Sequence, residues 1–345
     1  MKRIRDYGII IGNGDTGKLN KITDVEGVKV GHYTLKNDKH NTGLTIILPS
    51  VDNIYLNRCV AASHILNGYG KTQGLPQIDE MGYIETPIVL TNTLNIGLMN
   101  DALVQYTINE CKKEGKDAYS INPIVGECND NRLNNIQERV LGYEELIKAI
   151  DTATEDFEEG SVGAGTGMVC FGLKGGIGTA SRITKIEDNI FNIGVLVQTN
   201  FGGLNDLILD GKKVGKELKK DIDNSQASGG SVMVIIATDL PVSERQLKRI
   251  LKRSVVGLSR AGSFIGNSSG DVVIGFSTAN RIPKTPDKLI RDIKQIDESK
   301  MEYIFRMVAE ATEEAVLNSL VTSEETHLEG KETRYSLKDL YFKEV

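Results

Sequence analysis

The chain has 345 residues, 39% of them hydrophobic and 26% charged, a balance that suits a water-soluble fold with a substantial core. A formal net charge of −6 gives no footing for a general nucleic-acid binder, and no apolar run reaches the roughly 18 residues of a membrane-spanning helix. Cys59, Cys111, Cys128 and Cys170 lie far apart with no C-x-x-C spacing, and no secretory h-region follows the basic N-terminus, so reduced thiols in a cytoplasmic protein are expected.

Gly12-Asn13-Gly14-Asp15-Thr16-Gly17-Lys18 approaches the phosphate-cradling G-x-x-x-x-G-K-[ST] pattern. The magnesium-holding hydroxyl is replaced by Leu19 and no helix start follows, so a glycine-rich surface turn is preferred to a nucleotide site. Extended segments are expected at Val28–Tyr33 and Leu44–Leu48. Helical spacing covers Val60–Leu66, and again Leu98–Cys111, where Met99, Leu103, Tyr106 and Cys111 share a face. Pro87–Leu94 reads as a strand ending in polar, backbone-bonding side chains. Ile121–Val125 reads as another, with a loop at Gly126–Asn131, and Tyr143–Phe157 is helix-compatible.

The glycines of Gly160–Met168 and Gly175–Ser181 have the wrong spacing for a dinucleotide turn, and are read as close packing at a sheet edge or room for a substrate. Phe191–Gln198 is a strand running into Thr199-Asn200. A polar loop, Lys219–Ser228, leads through Gly229-Gly230-Ser231 into the buried-strand run Val232–Thr238. Ser243 and Gln246 form a capping box ahead of one helical stripe made by Leu247, Ile250, Leu251, Val255 and Leu258. A small-residue loop at Gly262–Gly270, a strand at Val272–Ser277, a helix at Met301–Leu320 and a polar, irregular tail after Thr322 complete the chain. With no linker between halves, residues 1–345 are expected to form a single domain of sheets covered by helices, α+β or layered α/β.

The Gly230-Ser231 junction carries the chemistry. Attack by the Ser231 hydroxyl on the Gly230 carbonyl would give an ester by N-to-O acyl shift, and water would then release a new chain starting at Ser231. Glycine before the serine tolerates the strained backbone and leaves the carbonyl open. The freed α-amine, with an ordinary pKa of about 7.7–8.0, can act as a local base, so that one residue offers nucleophile and base together. Only His32, His40, His64 and His327 are available as alternatives, none in a recognisable catalytic or metal-ligating setting. The competing reading is a Gly-Gly turn with a serine that merely starts a strand.

Several stretches, in order along the chain, bear on that choice: Ile22-Thr23-Asp24-Val25, Glu85-Thr86-Pro87-Ile88, Thr91-Asn92-Thr93-Leu94-Asn95-Ile96-Gly97, Val125-Gly126-Glu127, Gly163–Met168, Gly176–Arg182, Gln198-x-Asn200-x-Gly202, Gly230-Ser231 and Ser268-Ser269-Gly270-Asp271. Together they resemble the DmpA-like self-processing aminopeptidases, which include L-aminopeptidase/D-amidase-esterases and β-aminopeptidases. The resemblance implies an αββα four-layer sandwich of the Ntn-hydrolase-like kind, with autocleavage between Gly230 and Ser231 into an α chain (1–230) and a β chain (231–345). It implies a tetramer of such αβ units, no cofactor and no metal.

Roles follow from matched positions. Ser231 is the implied nucleophile, Asn200 an oxyanion donor, and Ser269 with Asp271 a hydroxyl–carboxylate relay. Glu127 would bind the substrate's free ammonium. Two departures stand out: the family can carry glutamate where Asp271 stands, and some members carry an oxyanion-assisting aromatic where Asn129 stands. The expected activity is release of N-terminal amino acids from peptides, amides or esters through an acyl-enzyme on Ser231. The alternative is a non-catalytic member that keeps the fold and binds a metabolite or partner.

Overall fold

A computed structural model describes residues 2–218 and 230–342; the predicted loop Lys219–Ser228 and Gly229 lie outside them. Among the described residues, β1 (Lys29–Lys36), β2 (Asn41–Leu48), β5 (Ile88–Asn92) and β6 (Ile124–Cys128) form one sheet in that order. A second sheet runs β4 (Tyr83–Ile84), β3 (Asn57–Gly68), β12 (Ser269–Pro283), β11 (Gly230–Thr238), β10 (Asn189–Asn200) and β9 (Ile177–Ile186). A small hairpin pairs β7 (Val169–Cys170) with β8 (Leu173–Lys174). The helices are α1 (Leu75–Met81), α2 (Ile96–Lys113), α3 (Tyr143–Asp151), α4 (Gly215–Leu218), α5 (Glu244–Leu251), α6 (Ser254–Arg260), α7 (Met301–Val321) and α8 (Leu337–Tyr341).

Side-chain alternation builds the layers. Along β11, Met233, Ile235 and Ala237 turn toward the four-stranded sheet and pack with Ile47, Leu90 and Ile124. Val232, Val234 and Ile236 turn the other way, toward Leu247, Ile250, Leu258, Ile304 and Val308 of α5, α6 and α7. On the outer face of the smaller sheet, Leu44, Ile46 and Val89 meet Met99 and Leu103 of α2 and Leu146 of α3. The order is helix, sheet, sheet, helix: the expected αββα sandwich. Because β11 is covered on both faces, its sequence is an unbroken apolar run, each fully buried side chain contributing roughly 1.5–3 kcal/mol.

The same double burial explains a correction. Val60–Leu66, whose spacing suggests a helix, belongs to β3. Cys59 and Ala61 face the other sheet while Ala62 faces the helices, so no polar face marks the strand period. Gly126, Glu127 and Cys128 are the end of β6, not a loop, because Thr91 and Asn92 of β5 pair in parallel with Glu127 and Cys128. Ser269 and Gly270, expected to close a loop, open β12 with Asp271 for the same reason, paired with Gly230–Val232. The helix begun at Tyr143 stops at Asp151, since the backbone of Thr154 bridges Val30 of β1.

The stripe from Leu247 to Leu258 is two helices. The helix is interrupted at Lys252-Arg253, and the small Ser254 and Gly257, rather than the half-buried Val255, are buried where α6 meets α7. The capping box holds: Ser243 Oγ accepts from Gln246 N and Gln246 Oε1 from Ser243 N, both at 3.3 Å. The tail contains the short α8 and a bridge between Thr326 and Arg334.

The glycine-rich reading at the sheet edge is also explained. A Cβ on Gly178 of β9 would lie 2.0 Å from the Ala315 carbonyl, so its absence lets α7 approach the strand. The Gly12–Lys18 turn spends its amides inside the protein, with Asn13 N and Gly14 N donating to the Glu310 carboxylate at 3.1 and 3.0 Å. All four cysteines are buried and unpaired, and no helix among the described residues is long and apolar enough to cross a membrane.

Candidate active site

The strand ends of the two sheets meet around a cavity of about 180 Å³. The larger sheet supplies Asn200, Gly230, Ser231 and Gly270; the smaller supplies Glu127 from β6, followed by Asn129, Asn131 and Arg132. Tyr69, Gly70, Lys71, Thr93 and Ser268 complete the wall. Register accounts for the gathering. Ser231 is directly opposite Asn200 across the antiparallel β10–β11 ladder and opposite Gly270 across the parallel β11–β12 ladder. Gly270 is what lets the Tyr69–Gly70 turn close in, since a Cβ there would lie 2.5 Å from the Gly70 Cα.

Ser231 is buried, and its Oγ makes no hydrogen bond to oxygen or nitrogen; its neighbour is the Cys128 thiol, a weak partner. A buried hydroxyl without a strong partner is costly, about 1–3 kcal/mol, and calls for a reason. The Asn200 amide is fixed from both ends: Oδ1 accepts from Val169 N, and Nδ2 donates to the Asn129 carbonyl, each at 3.0 Å. One Nδ2 hydrogen is left over beside Ser231. Asn129 thus acts through its backbone, while its side-chain oxygen accepts from Asn131 N at 3.0 Å.

Glu127 is 3% exposed and aimed by two donors. Lys71 N reaches Oε1 at 2.9 Å, and Thr93 Oγ1 donates to Oε2. A carboxylate held this way, with an acceptor face left toward the cavity, suits an ammonium ion.

Ser269 and Asp271 form a pair, Ser269 Oγ donating to Asp271 Oδ1 at 2.6 Å. Neither lines the cavity. In strand alternation they flank Gly270, so they project with Val273 toward the helices, while Ser231 projects with Met233 toward the other sheet. Asp271 Oδ2 is buried without a partner. Burial pushes the Asp271 carboxyl up to about 6, only partly offset by the bonds from Ser269 and the Val232 amide.

None of the four histidines lines the cavity. His32 is half-buried elsewhere between Thr45 Oγ1 and the Glu158 carbonyl, and desolvation lowers its pKa to about 4. Among the described residues no group of His, Cys, Asp and Glu is arranged to hold a metal ion.

The residues that sequence reasoning missed are Thr93, Lys71, Ser268 and Arg132. Thr93 lies inside the Thr91–Gly97 stretch that carried the resemblance; Arg132 had no signal.

Residues 20–334 match the peptidase family S58. The chain belongs to that family. It is therefore a peptide-bond hydrolase, and the catalytic reading stands over the binding-only alternative. A beta-peptidyl aminopeptidase of Sphingosinicella xenopeptidilytica is 37% identical over 93% of this chain and 85% of that protein. The crystal structure of a Pyrococcus horikoshii OT3 protein is 46% identical, with a TM-score of 0.92 over 97% of this chain and 96% of that one. The L-aminopeptidase D-Ala-esterase/amidase of Ochrobactrum anthropi, a prototype of the serine aminopeptidases and a variant of the Ntn-hydrolase fold, is 33% identical. It superposes with a TM-score of 0.91 over 98% of this chain and 96% of that one. The fold is thus that of an Ntn-hydrolase variant.

Proposed function

We propose that this S58 peptidase is a self-processing serine aminopeptidase whose nucleophile is Ser231. The observation that carries the reading is the Ser231 hydroxyl itself: buried, without an oxygen or nitrogen partner, set opposite Asn200 and lining one small cavity with Glu127. Self-attack on Gly230 frees the Ser231 amine, and a single folded domain of residues 1–345 becomes an α chain 1–230 and a β chain 231–345. Both new ends lie at the start of β11 and remain tied into the sandwich.

In turnover, Glu127 holds the substrate's terminal ammonium and Ser231 Oγ attacks the first carbonyl. The spare Asn200 Nδ2 hydrogen receives the developing oxyanion. Strand alternation favours the Ser231 amine as the immediate base. Ser269 and Asp271, beside Gly230 in register but on the other face, would act on that amine at the strand end rather than on Oγ directly. The leaving amine takes the proton, and water then releases the amino acid from the acyl-enzyme. The cavity suits one small acyl residue. Cytoplasmic residence, in keeping with four unpaired cysteines, and assembly into a tetramer of αβ units are part of the same reading.

Intact-mass analysis tests the processing step: two polypeptides split before Ser231 are expected. Ser231→Ala should remain uncut and fail to hydrolyse p-nitroanilides of L-, D- and β-amino acids, a loss of roughly 10⁴-fold or more. A single full-length chain with turnover would overturn the processing mechanism, and an active Ser231→Ala protein would overturn the nucleophile.

A further inference from the structure

One group in the cavity has no part in that mechanism. Arg132 lines the same wall as Ser231, Asn200 and Glu127, half-buried, yet no hydrogen bond or ion pair joins it to any described residue. Its nearest charges offer little compensation. Glu332 is engaged with Arg334, whose Nη2 lies 2.6 Å from the Glu332 carboxylate. Burial first, and then the charge of Arg334, disfavour the cationic form of Arg132, with only Glu332 acting the other way. A guanidinium with five donors and no acceptor, next to a nucleophile, is incomplete without an anion.

Three charged residues line the wall; Lys71 spends its ammonium on the Tyr69 carbonyl, and the other two lie at different depths. Glu127 is 3% exposed and so lies deep, whereas Arg132 is half-buried, next to the exposed Asn131, and with the exposed Lys71 lies nearer to solvent. If the ammonium of the acylating residue occupies the Glu127 end, the chain beyond the scissile bond runs toward Arg132. In about 180 Å³ there is room for little more than one residue around the reacting carbonyl, so an anion at Arg132 belongs to the next residue.

We propose that Arg132 binds a carboxylate carried by the residue on the leaving side of the scissile bond, which makes free-acid dipeptides preferred over longer or amidated substrates. A carboxylate matches the planar fork of the guanidinium with two parallel hydrogen bonds; a neutral amide offers one carbonyl and leaves the charge unbalanced. This rests on the aminopeptidase reading of the cavity and adds a selectivity that Ser231, Asn200 and Glu127 do not supply.

The test compares L-alanyl-L-alanine with L-alanyl-L-alaninamide, and the matching β-alanyl pair, on the processed enzyme. The wild type should favour the acid by about tenfold in kcat/KM, mostly through KM, a ratio typical of one charge-assisted contact. Arg132→Gln should bring the acid-to-amide ratio close to one, and Arg132→Lys should restore part of it. A ratio that Arg132→Gln leaves intact, or an equal fall for acid and amide, overturns the proposal. So does a loss confined to substrates with an N-terminal aspartyl residue, which would put the anion on the acyl side. Equilibrium binding of the same pairs to Ser231→Ala, with and without Arg132→Gln, needs no turnover. It decides the Arg132 question even if Ser231 is not the nucleophile.

Discussion

Two polar clusters are buried against the six-stranded sheet, and they are finished differently. At the outer edge, Arg182 of β9 and Glu314 of α7 are both fully buried, and every polar atom of each has a partner. Arg182 bonds Glu314 Oε2 at 2.8 Å, Glu310 Oε2 at 3.3 Å, and the carbonyls of Ser181 and Ile11. Arg5 and Asn20 fill the remaining positions on Glu314. In the centre, around β11, the opposite holds: Ser231 Oγ and Asp271 Oδ2 have no oxygen or nitrogen partner, one Asn200 hydrogen is unspent, and Arg132 makes no ion pair among the described residues. Closed networks hold layers together. Open ones keep capacity for a reacting molecule, at a cost in stability that the closed ones help to offset.

The largest expected effect comes from breaking the closed cluster. Glu314→Ala leaves Arg182 and Arg5 without their main counter-charge and should cost about 3–5 kcal/mol in urea unfolding. A loss under about 1 kcal/mol would remove the distinction between the clusters. Next comes the open cluster. Asn200→Ala should lower kcat by roughly 10²–10³-fold, the usual worth of one oxyanion donor. If KM for the amide rises by that factor while kcat holds, Asn200 only positions substrate.

How much of this contrast was legible beforehand differs between fold and site. The layers followed from periodicity where one face was polar, as in α2, and from the long apolar runs of β10 and β11. β3 was misread because neither face is polar at Cys59–Ala62. Glu127, Ser269 and Asp271 sat in segments whose composition says loop. Their strand geometry comes from neighbours remote in sequence: Thr91 for Glu127, Gly230 and Val232 for the pair. Ser231, Asn200 and Glu127 were reachable because glycine-rich stretches and strand-end polar residues recur in a recognisable order. Arg132 was not, since a lone arginine in a polar loop carries no pattern until the cavity is assembled around it.

The smallest effect is the most discriminating, because rate and stability should move in opposite directions over one pH interval. Burial raises the Asp271 carboxyl to about 6, above an ordinary value of roughly 4. Below about pH 4 the group is protonated in both folded and unfolded chains, and its contribution to stability is fully present. As pH rises from about 4 to 6 the unfolded chain ionises first, so stability falls through that window and levels off above it. If the ionised carboxylate serves the Ser231 amine, kcat/KM should rise through the same window. Asp271→Asn should abolish the rise in rate and flatten part of the fall in stability. Asp130, one residue after Asn129, is also raised to about 6 by burial, against hydrogen bonds from Thr42 and Asn134. It adds to the stability slope without touching the cavity, so Asp130→Asn should alter unfolding midpoints and leave the kinetic limb near pH 6. A limb that survives Asp271→Asn and vanishes in Asp130→Asn would move the titrating group out of the Ser269–Asp271 pair and into the support of the Asn129 loop.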